Sequence, residues 1–301
     1  MASRLSLALL LGLVLVPAGC ASGVGDKPVP QAESQRLEPL WLLSLGEAVQ
    51  ESSGLAAVAQ RYWTLNDSGG AAQLIWVDPL ERSQGNLALE GAVNFDWEAL
   101  AQSETSMYIV DCGNNRGDRI WLQLYTLPLT ALNSEAAIVQ RQDFRWGDVD
   151  YQINRRAHDN DCEAAAWVDD QLWLFTKGWE SGTTRLYTLR PGEDRQSLLS
   201  KAEYPVDGLI TGADYSATHQ RLALIGYGKG LRVLQPFIWI VPVKDKQMLW
   251  DRAKRYWLAQ LGQWEALVWD GDSLVISREE SVLGGAGFAR ISLPAAALKD
   301  E

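Results

Sequence analysis

Carboxylates recur in this 301-residue chain at the head of short apolar runs, and their spacing is what could do chemistry. Glu98 opens EALAQ, Glu163 opens EAAAWV and Glu265 opens EALVWD, while Ser53 and Thr211 hold the same place in SGLAAV and TGADYS. The five positions lie 45, 65, 48 and 54 residues apart. Asp96 and Asp161 each stand two residues before one of these glutamates. Further polar groups sit near the ends of neighbouring runs. They are Asn66 with Asp67, Asp111 with Asn114, Asn115 and Arg116, His158 with Asp159, then Lys177, and Arg278 with Glu279.

Three chemistries suit such a set. Carboxylate and amide oxygens brought together suit Ca²⁺, which takes about six to eight oxygen ligands. Asp96, Glu98, Asp111, Asp161 and Glu163 are the candidate ligands, and no organic cofactor is implied. The 111–118 loop lacks the second acidic residue of an EF-hand, and His158 with Asp159 and Asp161 is a weak transition-metal signal. Paired carboxylates can instead hydrolyse a glycoside, one as acid and one as base, with Glu98, Glu163, Asp96 and Asp161 as candidates. Ca²⁺ with Lys177 and Arg278 would suit a phosphoester. The third use is structural: each glutamate staples one repeat to the next, with Lys177, Arg116 and Arg278 as neutralising cations. Asn66, Asp67, Asn114, Asn115, Arg116, Lys177, Glu265 and Arg278 complete the candidate ligand site. No G-x-S-x-G elbow and no phosphate-cradling glycine loop is present.

The elements that must position these residues are strands. Each first run is followed by a second (RYWTLND, MYIVDCG, QLWLFTK, RLALIGY, SLVISRE) and a third (QLIWVDPL, IWLQLYTLPL, TRLYTLRP, PFIWIVPV, FARISLP), divided by Gly/Asn/Asp turns. Four units add a more divergent fourth run: NLALEGAV, AIVQRQDFRW, SLLSKAEYPV and AKRYWLAQL. The fifth has none, and LEPLWLLSL at 37–45 has no partner nearby. A spare strand at one end and a missing one at the other close a ring and remove its open edge. The expectation is an all-β, five-bladed propeller over 37–301, with six blades or an open solenoid as rivals. In that ring the second runs end beside the starts of the first, so the polar groups converge at one channel mouth. The opposite ends read as Ala, Gly, Leu and turn residues.

Lys and Arg number 27 against 38 Asp and Glu, a formal charge of −11 that excludes tracking a nucleic-acid backbone. The fourteen tryptophans read as blade packing, with an aromatic platform for a sugar or other flat ligand as the sharper alternative. Residues 1–19 read as a signal peptide ending in Pro17-Ala18-Gly19, and Cys20 stands where a bacterial lipoprotein is acylated. Residues 20–36 form a polar tether. The implied location is the periplasmic face of the outer membrane, held by a lipid anchor. Apart from Cys20, the chain has Cys112 and Cys162, an even pair that predicts a disulfide in an oxidising compartment.

Asn66-Asp67-Ser68-Gly69-Gly70, DWEALA at 96–101, DCGNNRGDR at 111–119 and DCEA at 161–164 resemble the NDSG, DWE, GDxGNN and DxEAL signatures of a group of exported bacterial propellers. That group is in turn similar to phytase-like esterase and strictosidine-synthase-like propellers. The resemblance spans residues 50–290 and implies the architecture and export, not an activity. Cys112 and Cys162 depart from its pattern. Together these readings predict a monomeric, envelope-anchored propeller lipoprotein binding a small ligand or divalent cation at an acidic channel mouth. A hydrolase and a scaffold for envelope proteins are the alternatives.

Overall fold

The computed structural model describes residues 36–46, 49, 51–151, 157–230 and 235–299. The signal segment and Cys20 lie outside the described residues. Five antiparallel sheets surround one axis, giving the five-bladed β-propeller that the repeat predicts. From the axis outward, blade one is Ser52–Val58, Arg61–Asn66, Gln73–Asp78 and Ser83–Glu90. Blade two is Trp97–Gln102, Ser106–Asp111, Leu122–Pro128 and Gln140–Trp146. Blade three is Asp161–Val168, Gln171–Lys177, Thr184–Leu189 and Ala202–Tyr204. Blade four is Leu209–Ser216, Arg221–Tyr227, Pro236–Lys244 and Lys254–Leu258. Blade five is Trp264–Asp270, Ser273–Arg278 and Gly287–Ser292.

The missing strand of blade five comes from the start of the propeller. Leu40–Ser44 lies antiparallel to Gly287–Ser292, with Leu40 opposite Arg290 and Ser44 opposite Gly287. Leu42, Leu43 and Leu45 pack into a core shared by blades five and one. Four further apolar cores fill the remaining junctions between neighbouring blades. Trp63, Trp97, Trp146, Trp173, Trp239 and Trp264 are fully buried in these junctions, so packing accounts for much of the tryptophan content.

The fourth runs differ from the sequence reading. AIVQRQDFRW and SLLSKAEYPV each split in two. Ala136–Ile138 lies parallel on the outer strand of blade one before Gln140–Trp146 completes blade two. Arg195–Leu198 lies parallel on blade two before Ala202–Tyr204 completes blade three. Arg36–Leu37 does the same to blade four before the chain passes to blade five. The physical reason is edge protection: a parallel strap covers backbone groups that an outermost strand would expose.

Near the axis the inner strands approach so closely that only small residues fit. A Cβ on Gly54 would stand 2.6 Å from the Leu100 amide nitrogen, and one on Gly212 would stand 2.7 Å from the Glu265 carbonyl oxygen. This crowding explains the Ala and Gly that follow each aligned position. Between the inner strands at this level the remaining void is about 10 Å³, too small for more than a single water, so the channel is plugged. The disulfide forms as predicted: Cys112 and Cys162 join blades two and three with Cα atoms 5.2 Å apart.

Candidate functional site

Every inner strand slips register against its neighbour at one place, near its start. The residues left over are Ser53 with Gly54, then Glu98, Glu163, Thr211 and Glu265. These are the aligned positions. A β-bulge re-aims a side chain out of the strand's strict alternation, and here five bulges send five polar groups toward one mouth. The two hydroxyl-bearing members tie blades together. Ser53 donates to the Glu98 carbonyl at 3.0 Å and to its carboxylate at 3.1 Å. Thr211 donates to the Trp264 carbonyl at 3.0 Å.

The tightest carboxylate group lies at the junction of blades one and two. One oxygen each from Asp67, Asp96 and Glu98 falls within 4.8 Å of the others. Asn94 positions it: its amide nitrogen donates to the carbonyls of Asn66 (3.1 Å) and Asp67 (2.8 Å), and its oxygen accepts the Trp97 amide at 3.2 Å. The blade-one loop is thereby latched onto the start of blade two. Gly113 gives the group room, since a Cβ there would stand 2.4 Å from a Glu98 oxygen and 2.5 Å from the Asp96 carboxyl. Asn94 and Gly113 are functional positions the sequence reading missed. Their signal was present, Asn two before Asp96 and Gly beside Cys112, but neither residue type carries charge.

Across the mouth, Lys177 is buried and donates to Glu163 at 3.0 Å. Its ammonium also lies 4.8 Å from the centre of the Trp179 ring and 5.5 Å from that of Tyr227. Burial opposes its charge, but Glu163, Tyr227 and Glu265 outweigh that and raise its pKa well above the ordinary lysine value. Five carboxyls, those of Asp67, Asp96, Glu98, Glu265 and Glu279, are pushed toward protonation. Burial, then Glu163 and Asp67, hold Glu98 well above the usual carboxylate range. Burial, then Asp67, push Asp96 up to about 7. Burial raises Asp67 and Glu265, and burial with Glu265 lifts Glu279 to about 9. The mouth holds more carboxyl groups than its described cations can pair with.

Other predicted residues lie elsewhere or are otherwise engaged. Asp111 is wholly buried; it receives Arg119 at 2.6 Å and the amides of Phe95 and Asp96 at 3.2 Å each. Its cation is therefore Arg119, and Arg116 instead pairs with Asp118 at 3.5 Å on the exposed surface. Asp161 accepts the Asn114 amide at 2.6 Å and the Trp179 indole at 2.7 Å. The Asn114 side chain holds the Arg119 loop, and the Asn115 carbonyl faces His158. His158 also accepts the Asn160 amide, and Asp159 accepts the amides of Glu180 and Ser181. Asn66 accepts the Glu51 amide at 3.4 Å. Arg278 leaves the mouth: its guanidinium lies 4.4 Å from the centre of the Trp41 ring and donates to the Gly285 carbonyl, locking the closing strand in place.

The opposite mouth is not the bland surface expected. Trp167, Tyr215 and Trp269 are the penultimate residues of three inner strands and line a cavity of about 900 Å³ there. The sequence reading assigned these strand ends mostly to Ala, Gly, Leu and turn residues, and placed its aromatic-platform alternative at no particular mouth.

No family model and no curated protein sequence matches the chain. Several solved structures do. The Malassezia sympodialis allergen Mala s 1 superposes with a TM-score of 0.49 at 11% identity, over 78% of this chain and 90% of that one. Regucalcin from Agrobacterium tumefaciens, a calcium-binding protein, gives 0.46 at 12% identity over 86% and 96%. Hydrazine synthase from Kuenenia stuttgartiensis gives 0.42 at 11% identity over 78%, and the chain spans 57% of that protein's length. The likeness is one of fold.

Proposed function

We propose that this chain is an exported propeller, anchored through Cys20, whose acidic mouth takes up a divalent cation of the Ca²⁺ class and presents it to a small polar ligand. The observation that carries the reading is the convergence of Asp67, Asp96 and Glu98 within 4.8 Å, in surroundings that drive protons onto them. A divalent cation relieves that repulsion better than protons do, because one ion meets all three oxygens at once. The donors are oxygens. His158 directs both ring nitrogens to backbone groups of Asn115 and Asn160, away from the mouth. Oxygen ligands without imidazole or thiolate suit a hard ion, Ca²⁺ before Zn²⁺. Three carboxylates fill only part of a calcium shell, leaving positions for water and for a ligand's hydroxyl or carboxylate oxygens. Glu163 is committed to Lys177, which takes it out of a paired-carboxylate arrangement with Glu98. Export and anchoring rest on the apolar run that ends in Pro17-Ala18-Gly19-Cys20.

Because the Asp96 carboxyl is pushed up to about 7, ion uptake near neutral pH must release protons. The test is a pH-stat titration of the mature protein with CaCl₂ at pH 7, paired with calorimetry. Proton release and heat should saturate together, and both should vanish in Asp96→Asn with Glu98→Gln. Absence of both at about 10 mM Ca²⁺, above the roughly millimolar constants of weak extracellular sites, would refute the reading.

A further inference from the structure

The cavity at the opposite mouth has the chemistry of a receptor. At the penultimate position of the five inner strands the chain places Ala57, Ala101, Trp167, Tyr215 and Trp269. Trp167, Tyr215 and Trp269 line the cavity while packing against the cores between neighbouring blades. Tyr108 enters beside Ala101, its register partner, and stacks on Trp167 with ring centres 5.0 Å apart and planes 16° from parallel. Trp167 and Tyr215 are only half-buried, so part of each ring stays open to the cavity. The volume, about 900 Å³, falls within the range of small-molecule sites, roughly 300–1,000 Å³.

Its polar groups are mostly acceptors, and one is unsatisfied. Gln102 donates its amide nitrogen to the Ala57 carbonyl at 3.0 Å, while its buried oxygen has no partner among the described residues. A buried acceptor without a donor is costly unless something fills the gap. Asp214 accepts the Trp269 amide at 2.8 Å and, among the described residues, has no basic side chain against it. Asp169, Glu104 and Asp272 add carboxylates, and among the described residues no lysine or arginine lines the cavity. His219, the one basic side chain among the described lining residues, stands 3.2 Å from Asp272.

We infer that this mouth is a second binding site, one for a neutral oligosaccharide. A pyranose offers a flat face of C–H groups to an aromatic ring and a rim of hydroxyls, each able to donate to a carboxylate or amide oxygen. Trp167 with Tyr215 supplies the platform, and Gln102 with Asp214 supplies the acceptors. Hydrogen bonds from hydroxyls to carboxylates are of the stronger, charge-assisted kind. The lack of cations turns away phosphates, nucleotides and uronic acids. The site lies below the plugged channel, so its occupancy is independent of the acidic mouth.

The experiment is saturation-transfer NMR with calorimetry on the mature protein, using cellotriose, maltotriose and chitotriose, with trigalacturonate and tetramethylammonium as controls. At least one neutral trisaccharide should bind, with transfer strongest at ring C–H protons. Trp167→Ala should weaken it at least tenfold, and Gln102→Leu, which leaves the aromatic wall intact, several-fold. Trigalacturonate should bind at least tenfold more weakly, and Asp96→Asn with Glu98→Gln should change nothing. No transfer from any of the three sugars at millimolar protein would overturn the inference. So would unchanged affinity in folded Gln102→Leu and Trp167→Ala, or tighter binding of tetramethylammonium than of the sugars, which would mark a site for organic cations.

Discussion

Asp96 at one mouth and Asp214 at the other are both pushed up to about 7, by different physics. At Asp96 burial is joined by the charges of Asp67, Asp161 and Asp111, with Arg119 pulling the other way. At Asp214 burial acts without charged neighbours, and the amides of Trp269 and Tyr215 oppose it. The same pKa therefore describes two different needs. Asp96 sits in an excess of negative charge that a cation can relieve. Asp214 sits in an apolar wall, where a neutral hydroxyl that donates a hydrogen bond is the better partner. A raised carboxyl alone does not identify a metal site; the source of the shift does.

The largest effect tests whether the two mouths exist apart from ring closure. Removing residues 36–46 strips blade five of its outer strand and the shared core of Leu42, Leu43 and Leu45. Each buried aliphatic side chain is worth about 1.5–3 kcal/mol, so their sum approaches a domain's whole stability of about 5–15 kcal/mol. The truncated protein should be insoluble or lack a cooperative melt, and a melt matching the full mature chain would show that the ring does not depend on this strand.

Next in size is the buried ammonium of the acidic mouth. Lys177→Met leaves Glu163 buried without its cation, a class of change that costs about 3–5 kcal/mol. Burial holds the Glu163 carboxyl well above the ordinary glutamate range while Lys177 opposes it, so the loss should shrink as falling pH puts a proton on Glu163. Chemical denaturation at pH 7.5 and pH 4.5 measures both, and equal losses at the two values would mean the lysine acts by packing alone.

The repeat makes the ring legible in the sequence, because five copies of one pattern average out local ambiguity. Ser53, Glu98, Glu163, Thr211 and Glu265 align by spacing and do share a bulge. The bulge itself is not legible: a register slip depends on how two strands pair, and the residues show only their own alternation. The same limit explains Arg116 and Arg119. Both flank the acidic loop, and only the turn through Asn114, whose oxygen accepts the Arg119 amide at 2.9 Å, decides which arginine reaches Asp111. Arg278 ends its strand as Lys177 does, yet the closing strand's Trp41 draws it outward. That contact joins residues 237 apart and has no local signature.

A smaller effect follows from ion binding. Ca²⁺ at a hundred times its dissociation constant stabilises the native state by about 2.7 kcal/mol. The wild type should melt higher in Ca²⁺ than in chelator, and Asp214→Asn should respond equally. Asp96→Asn with Glu98→Gln should not respond. A calcium response lost in Asp214→Asn would erase the distinction between the mouths.

The finest test is pH. Each of these aspartates has a folded pKa of about 7 against 3.8 for an ordinary aspartate, so the fold favours the protonated form. The stability each contributes is complete below about pH 4 and is lost as the pH rises through 7. Without Ca²⁺, two carboxyl carbons should titrate near pH 7 by NMR, and stability should decline across that window. Glu279, lifted to about 9, extends the decline to higher pH. Saturating Ca²⁺ should bring Asp96 below its ordinary range, because the ion binds only the carboxylate, and should leave Asp214 where it was. Asp214 then keeps its share of the decline up to pH 7, and Asp214→Asn should remove that share and leave the part Glu279 carries. If Ca²⁺ moves both midpoints together, the two aspartates answer to a shared conformational change; if it moves neither, the ion does not bind at Asp96.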